Sequence, residues 1–216
     1  MAEAGARLRA QVIAISQALD AAGMVPNKSG NVSCRSSGGF LITPAGVPYR
    51  KLAPGDVVEL RVDGAPDAAS PRPSSEWRMH AAIYARRADA AAVVHTHSPQ
   101  ATALACAGRG IPPFHYMIAL AGGDVRCMPY ATFGTAELAE TAVRGLEGRR
   151  ATLLGNHGVI TIGSSLEEAL AVAIEVENLA SEYLALLSAG LEPRLLDAAE
   201  LERVIGKFAD YGRLKR

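Results

Sequence analysis

Between residues 5 and 22, Leu8, Val12, Ile15 and Leu19 recur at spacings of four, three and four, the period that lays one apolar stripe along an amphipathic helix. After the turn-rich "GMVPNKSGN" the period shortens. "VSCRSSGGFLIT" predicts two short strands about a Ser-Gly turn, and "DVVELRV" a third. "DGAPDAASPRPSS" has no period and reads as a surface loop. "SEWRMHAAIYARR" opens with a Ser N-cap pattern and predicts a helix. "AAAVVH" predicts a buried strand, and "SPQATALACAG" a helix with Pro in its first turn. "DVRCMPY" reads as a strand, "GTAELAETAVRGLEG" as a helix, and "RRATLLGNHGVITIG" as two strands about a Gly-Asn-His-Gly turn. From Ser165 to Ser188 a long helix carries Val172, Val176, Leu179, Tyr183 and Leu187 on one stripe, and "DAAELERVIGKFADYG" predicts a closing helix.

Helices and strands interleave, and several strands lie close enough for hairpins, so the expected class is α/β with a mixed or antiparallel sheet between helical layers. At 216 residues and 49% hydrophobic content, the chain holds one sizeable core, and we expect a single domain over 1–216. Formal net charge is zero and no Lys/Arg cluster interleaves with aromatics, so no nucleic-acid partner is expected. No run approaches the roughly 20 apolar residues of a membrane span, and the first residues lack a secretory apolar region, so no membrane association is expected either. Cys34, Cys106 and Cys127 are widely spaced and form no CxxC pair. They read as buried free thiols of a reducing compartment, which predicts a cytoplasmic protein.

The chain has five histidines, and two of them stand one residue apart in "VVHTH". Side chains at i and i+2 of a strand share a face, so His95 and His97 converge if the strand runs through Thr96. Two such imidazoles suit zinc, or form a hydrogen-bonded structural pair. His157 lies in "GNHGV", where glycines permit a tight backbone and close approach of a ligand; an ordinary turn histidine is the alternative. Glu76 begins a predicted helix, as a macrodipole partner or as a ligand. His80, one helical turn on, and His115 read as structural. Three imidazole nitrogens and one carboxylate from separate segments would leave a metal open to substrate oxygens. Gly30 and Asn31 of "SGNVS" read as a turn whose N–H groups cradle an anion. Ser74 and Ser75 precede a helix, whose positive end favours phosphate, though an ordinary N-cap fits as well.

The segments "PSSEWRMH", "VVHTH", "IPPFHYMIALAGG", "PYATFGT" and "NHGVI" occur in the order and spacing of the class II aldolase/adducin superfamily. The chain resembles that family over nearly its whole length, and within it the aldolases of the L-fuculose-1-phosphate type. The resemblance implies α/β/α layers around a mostly antiparallel central sheet, and a homotetramer with active sites between subunits. It implies one zinc ion per subunit, bound by His95, His97 and His157, with Glu76 as a fourth ligand that can leave and shuttle a proton. The implied reaction cleaves a sugar phosphate, a ketose 1-phosphate, to dihydroxyacetone phosphate and an aldehyde through a metal-stabilised enediolate. Gly30, Asn31, Gly46, Ser74 and Ser75 would surround the phosphate, and Phe133 would line the aldehyde end. Tyr116 matches a tyrosine that donates a proton in a neighbouring subunit's site. Tyr211 matches a second tyrosine near the C-terminus, which closes over substrate. On composition alone, each tyrosine reads as a half-buried core or interface residue.

Two positions depart from the family pattern. Ala45 stands where a hydroxyl residue is frequent, and "MVPNKSGN" replaces a Gln-Gly-Thr type loop. Lys28 there either supplies charge to the phosphate or faces solvent. The substrate therefore stays open: a 5-deoxyribulose or 5-methylthioribulose 1-phosphate aldolase, a sugar-phosphate 4-epimerase, a dehydratase and a non-catalytic adducin-like interaction module remain alternatives.

Overall fold

The computed structural model describes residues 2–64 and 71–213. Seven strands, β1 (Asn31–Ser36), β2 (Gly39–Ile42), β3 (Val58–Leu60), β4 (Ala92–Thr96), β5 (Arg126–Met128), β6 (Ala151–Leu154) and β7 (Gly158–Gly163), form one sheet in the order β3-β2-β1-β4-β7-β6-β5. Every pairing is antiparallel except β5 with β6 at one edge. The helices are α1 (Ala2–Ala21), α2 (Trp77–Arg86), α3 (Pro99–Cys106), α4 (Ala136–Gly145), α5 (Leu166–Ser188) and α6 (Ala198–Arg213).

Alternation along the strands decides which helices cover which face. Val93, Ile160 and Ile162 pack with Met79 and Ile83 of α2 and with Leu138 and Ala142 of α4. Ala92, Val94 and Val32 point the opposite way, against Val12, Ile15 and Leu19 of α1 and Ala169 and Ala173 of α5. Leu153 and Val159 continue that second face against α3 and α5. The result is the expected α/β/α sandwich. Helix ends are closed locally and at a distance: Thr135 Oγ1 caps α4, whereas Glu177 of α5 accepts from the Gln100 and Ala101 amides at the start of α3.

On β1, three polar residues share the α2 face. Asn31, Ser33 and Arg35 alternate there, opposite Glu76, His80 and Tyr84, which lie four apart along α2 and its N-cap. Two strand residues advance roughly 6.8 Å and four helix residues about 6 Å, so successive rungs stay in step. Arg35 ends the ladder by donating to the carbonyls of Tyr84, Arg87 and Ala90 at 2.7, 3.0 and 2.7 Å.

Some local expectations need correction. The N-cap of α2 is Glu76, with no side-chain cap bond, because its carboxylate turns toward the imidazoles. The preceding Ser74 instead closes a tight turn, its carbonyl accepting from Trp77 N and its Oγ from Glu76 N. Of the cysteines only Cys34 is buried; Cys127 is half-buried and Cys106, at the end of α3, is exposed. "DVVELRV" contributes only three strand residues. No helix of the described residues is long and apolar enough to cross a membrane. Residues 65–70 of the predicted surface loop lie outside the described residues.

Arg35→Met should lower the unfolding free energy by about 2–3 kcal/mol in a urea titration, because three carbonyls at and just beyond the end of α2 lose a charged donor. A change below roughly 0.5 kcal/mol would show that water replaces it without cost.

Candidate metal centre and substrate cavity

His95 continues the Val93 parity and therefore faces α2; it lies directly opposite Asn31 in the β1–β4 register. His97 falls one residue beyond the end of β4, yet its Nε2 comes within 3.1 Å of His95 Nε2. The β6–β7 turn brings in His157, and the three rings stand 4.8–4.9 Å apart, nearly perpendicular to one another. Glu76 closes the group from the start of α2: Oε2 lies 3.2 Å from His95 Nε2, and Oε1 lies 3.2 Å from His157 Nε2.

The glycines flanking His157 serve a different purpose from the one expected. A Cβ on Gly158 would sit 2.4 Å from the Thr96 carbonyl and 3.0 Å from the His97 ring. One on Gly155 would sit 2.6 Å from the Met128 carbonyl. They admit neighbouring strands rather than a ligand. The left-handed residue of the turn is Asn156, at φ 53°.

The donor set fits a divalent metal. His95 Nδ1 lies 2.9 Å from the Val159 carbonyl, so that nitrogen carries the proton and Nε2 presents a lone pair. Two imidazole nitrogens 3.1 Å apart need a proton or a cation between them. Tetrahedral bonds of about 2.0–2.1 Å separate ligand atoms by roughly 3.4 Å, close to the 3.1 and 3.2 Å found here. Glu76 Oε1 is buried and makes no hydrogen bond among the described residues.

Charge in the cluster is tightly linked. Burial by itself would push the Glu76 carboxyl up, but the His95 and His157 imidazoles against it hold it well below the usual range. Burial pulls His95 down, and Glu76 overcomes this to raise it. Burial, with His95 and His157 beside it, lowers His97 to about 3.

A cavity of about 360 Å³ opens over the cluster. Gly30, Asn31, Gly46, Ser74, Ser75 and Phe133 all line it, so the structure brings these sequence candidates together with Glu76, His97 and His157. Asn31 differs from the expected turn donor: it is the first residue of β1, and its side chain is engaged by Glu76 and His80. Gly30 holds φ 106°, with its carbonyl fixed by Tyr49 Oη at 2.7 Å. A Cβ there would lie 2.6 Å from the His95 carbonyl. Lys28, Tyr130 and Asn156 also line the cavity. Sequence reading passed over Tyr130 and Asn156, and their only signal was proximity in sequence to Phe133 and His157.

Tyr116 is not brought to this cavity. It is 52% exposed at the start of a 3-10 helix, Tyr116–Ala121, and its ring stacks on Phe208 of α6. Tyr211 falls on the α6 backbone, and its side chain lies outside the described residues. His115 accepts from Met117 N at the start of the same 3-10 helix, a structural role as expected.

A three-layer fold with an imidazole–carboxylate cluster at the sheet's end defines a metal-site α/β domain. The chain belongs to the Class II Aldolase and Adducin N-terminal domain family, which matches residues 10–184. It is 48% identical over 207 residues to the 5-methylthioribulose-1-phosphate/5-deoxyribulose-1-phosphate aldolase of Rhodospirillum rubrum, covering 95% of this chain and 92% of that one. It is 44% identical to the L-fuculose phosphate aldolase of Escherichia coli, covering 95% and 96%. Among solved structures, an L-fuculose 1-phosphate aldolase superposes with a TM-score of 0.90 at 36% identity, covering 94% of this chain and 96% of that one.

Metal-free protein should take up about one divalent ion per chain by elemental analysis. At a hundredfold excess over the dissociation constant, the gain in stability should be about 2.7 kcal/mol. His157→Ala should abolish both. Equal stabilisation of wild type and variant would place the ion elsewhere.

Proposed function

We propose that the chain is a zinc-dependent aldolase that cleaves a ketose 1-phosphate to dihydroxyacetone phosphate and a short aldehyde. The observation that carries this reading is the Glu76–His95–His97–His157 cluster, three of whose members line a cavity together with Gly30, Gly46, Ser74 and Ser75. His95, His97 and His157 would hold the zinc, with Glu76 as the ligand that leaves. Zinc, when bound, supplies a Lewis acid for the substrate's carbonyl oxygen.

The chain's own groups account for the remaining needs. Gly46 and Ser75 carry backbone N–H groups without a partner among the described residues, beside the start of α2, an arrangement suited to a phosphate. The Ala45 amide is already committed to the Arg72 carbonyl, so it adds no donor. Among the described residues, Lys28 is the one lysine or arginine lining the cavity. Cleavage takes the proton from the C4 hydroxyl, breaks the C3–C4 bond and leaves an electron pair on the three-carbon fragment. Glu76, carrying a proton gained from solvent, would pass it to C3. Tyr116, exposed and not part of its own cavity's lining, would accept the C4 hydroxyl proton in the site of a neighbouring subunit, and Tyr211 would close over the substrate. That division requires an oligomer, and we propose the homotetramer.

The aldehyde end favours a second substrate beside L-fuculose 1-phosphate. Tyr130 and Phe133 line the cavity and are 58% and 65% exposed, so two accessible aromatic rings border the site. Such rings suit the apolar end of 5-methylthioribulose or 5-deoxyribulose 1-phosphate, and the 48% identical relative bears that name.

A panel of ketose 1-phosphates differing beyond C4, assayed for dihydroxyacetone phosphate release, tests the reading. We expect zinc-dependent release, with kcat/KM for the 5-methylthio substrate above that for L-fuculose 1-phosphate. No release from any member of the panel by zinc-loaded protein would end the proposal.

Lys28→Met should raise KM about threefold to tenfold with kcat nearly unchanged, and should flatten the dependence of KM on salt. Unchanged KM at low salt would make Lys28 a solvent-facing lysine.

A further inference from the structure

The hydrogen bonds behind Glu76 run in one direction. An ionised carboxylate only accepts, so Asn31 Nδ2 donates to Glu76 Oε2 at 2.9 Å. The amide's other edge, Oδ1, then faces His80 Nε2 at 2.5 Å. A carbonyl oxygen also only accepts, so His80 Nε2 carries the proton. His80 is fully buried, and desolvation brings its pKa down to about 3, so the ring is neutral. Its Nδ1 is therefore a lone pair that accepts from Ser33 Oγ at 2.6 Å. Ser33 Oγ in turn accepts from Tyr84 Oη at 2.7 Å. The amide orientation and the tautomer both follow from this accounting of donors and acceptors.

All five groups are buried: Ser33 and His80 are 0% exposed, Asn31 2%, Tyr84 3% and Glu76 6%. An unsatisfied group at such a position costs about 1–3 kcal/mol, so the chain has one arrangement that satisfies every member. With the amide turned over, Oδ1 would oppose the Glu76 carboxylate, lone pair against lone pair. The chain does not conduct protons, because an amide passes one only by becoming an imidic acid. It orients.

We propose that His80 is a positioning residue for Glu76, acting through the Tyr84–Ser33–His80–Asn31 chain to keep the amide N–H edge on the carboxylate. This fixes the carboxylate where it takes and returns the substrate proton. The catalytic consequence rests on the aldolase reading above; the hydrogen-bond direction does not.

The test has a spectroscopic arm and a kinetic arm. In zinc-loaded wild-type protein labelled with 15N-histidine, the His80 ring at pH 7.5 should be neutral and protonated on Nε2. A proton on Nδ1, or an imidazolium, overturns the proposal. For the kinetics, His80→Met removes the donor, while His80→Gln sets an amide N–H near the place of Nε2. His80→Met should keep its zinc and hold KM within about threefold, yet lose about 10–100-fold in kcat. Exchange of the dihydroxyacetone phosphate proton with solvent deuterium should fall in step, as it should more severely in Glu76→Gln, and His80→Gln should recover most of both. Wild-type kcat in His80→Met, or equal losses in Met and Gln variants of matched stability, overturns the proposal. Should His80→Met not fold, Tyr84→Phe replaces it, with a several-fold loss in kcat expected and none overturning the idea. A wild-type protein inactive on every ketose 1-phosphate defeats the aldolase reading while the spectroscopic arm still reports on the chain.

Discussion

A buried carboxylate is the constraint on which the site depends. Glu76 is 6% exposed, and an ionised carboxylate taken that far from water is strongly unfavourable unless charge and hydrogen bonds replace its hydration. Asn31 supplies one bond, and the imidazoles of His95 and His157 flank its two oxygens. Each partner comes from a different element: β1, β4 and the β6–β7 turn. Bringing them together requires the strand order in which β4 lies between β1 and β7, with Asn31 opposite His95 and His95 opposite Ile160. The sheet's topology is thus also the site's assembly.

The cavity lining answers two chemical needs. The backbone amides of Gly46 and Ser75 and the Lys28 side chain suit an anion, while Tyr130 and Phe133 add exposed aromatic rings. The non-glycine residues in the left-handed region, among those described, are Asn27, Lys28 and Asn156, and the last two line this cavity. Left-handed backbone costs a non-glycine residue free energy, and its concentration there is consistent with a ligand-shaped loop surface.

Much of this was legible from periodicity. The i, i+2 spacing of His95 and His97 on an apolar strand foretold their common face, and the helical stripes of α1 and α5 face the core as spaced. Glu76 and His157 entered the site through the family resemblance, since a helix-start carboxylate and a turn histidine each have ordinary explanations. What stayed hidden was the role of pairs that span two periods. Asn31, Ser33 and Arg35 follow a period of two, and Glu76, His80 and Tyr84 a period of four; their coincidence exists only once α2 lies along β1. His80 therefore reads as an isolated structural histidine until its neighbours are known. The Ser N-cap failed for a related reason: a tertiary partner, the imidazole cluster, outcompeted the local one for Glu76.

X-ray absorption at the zinc edge, with and without dihydroxyacetone phosphate, tests the central claim that these three imidazoles hold a metal from which Glu76 is displaceable. The account predicts three imidazole nitrogens at about 2.0–2.1 Å in both states. It further predicts one oxygen in the free protein, from Glu76, and two once the ketone phosphate binds through its carbonyl and adjacent hydroxyl oxygens in place of Glu76. Fewer than three imidazoles, or an oxygen shell unchanged by the ketone phosphate, would contradict it.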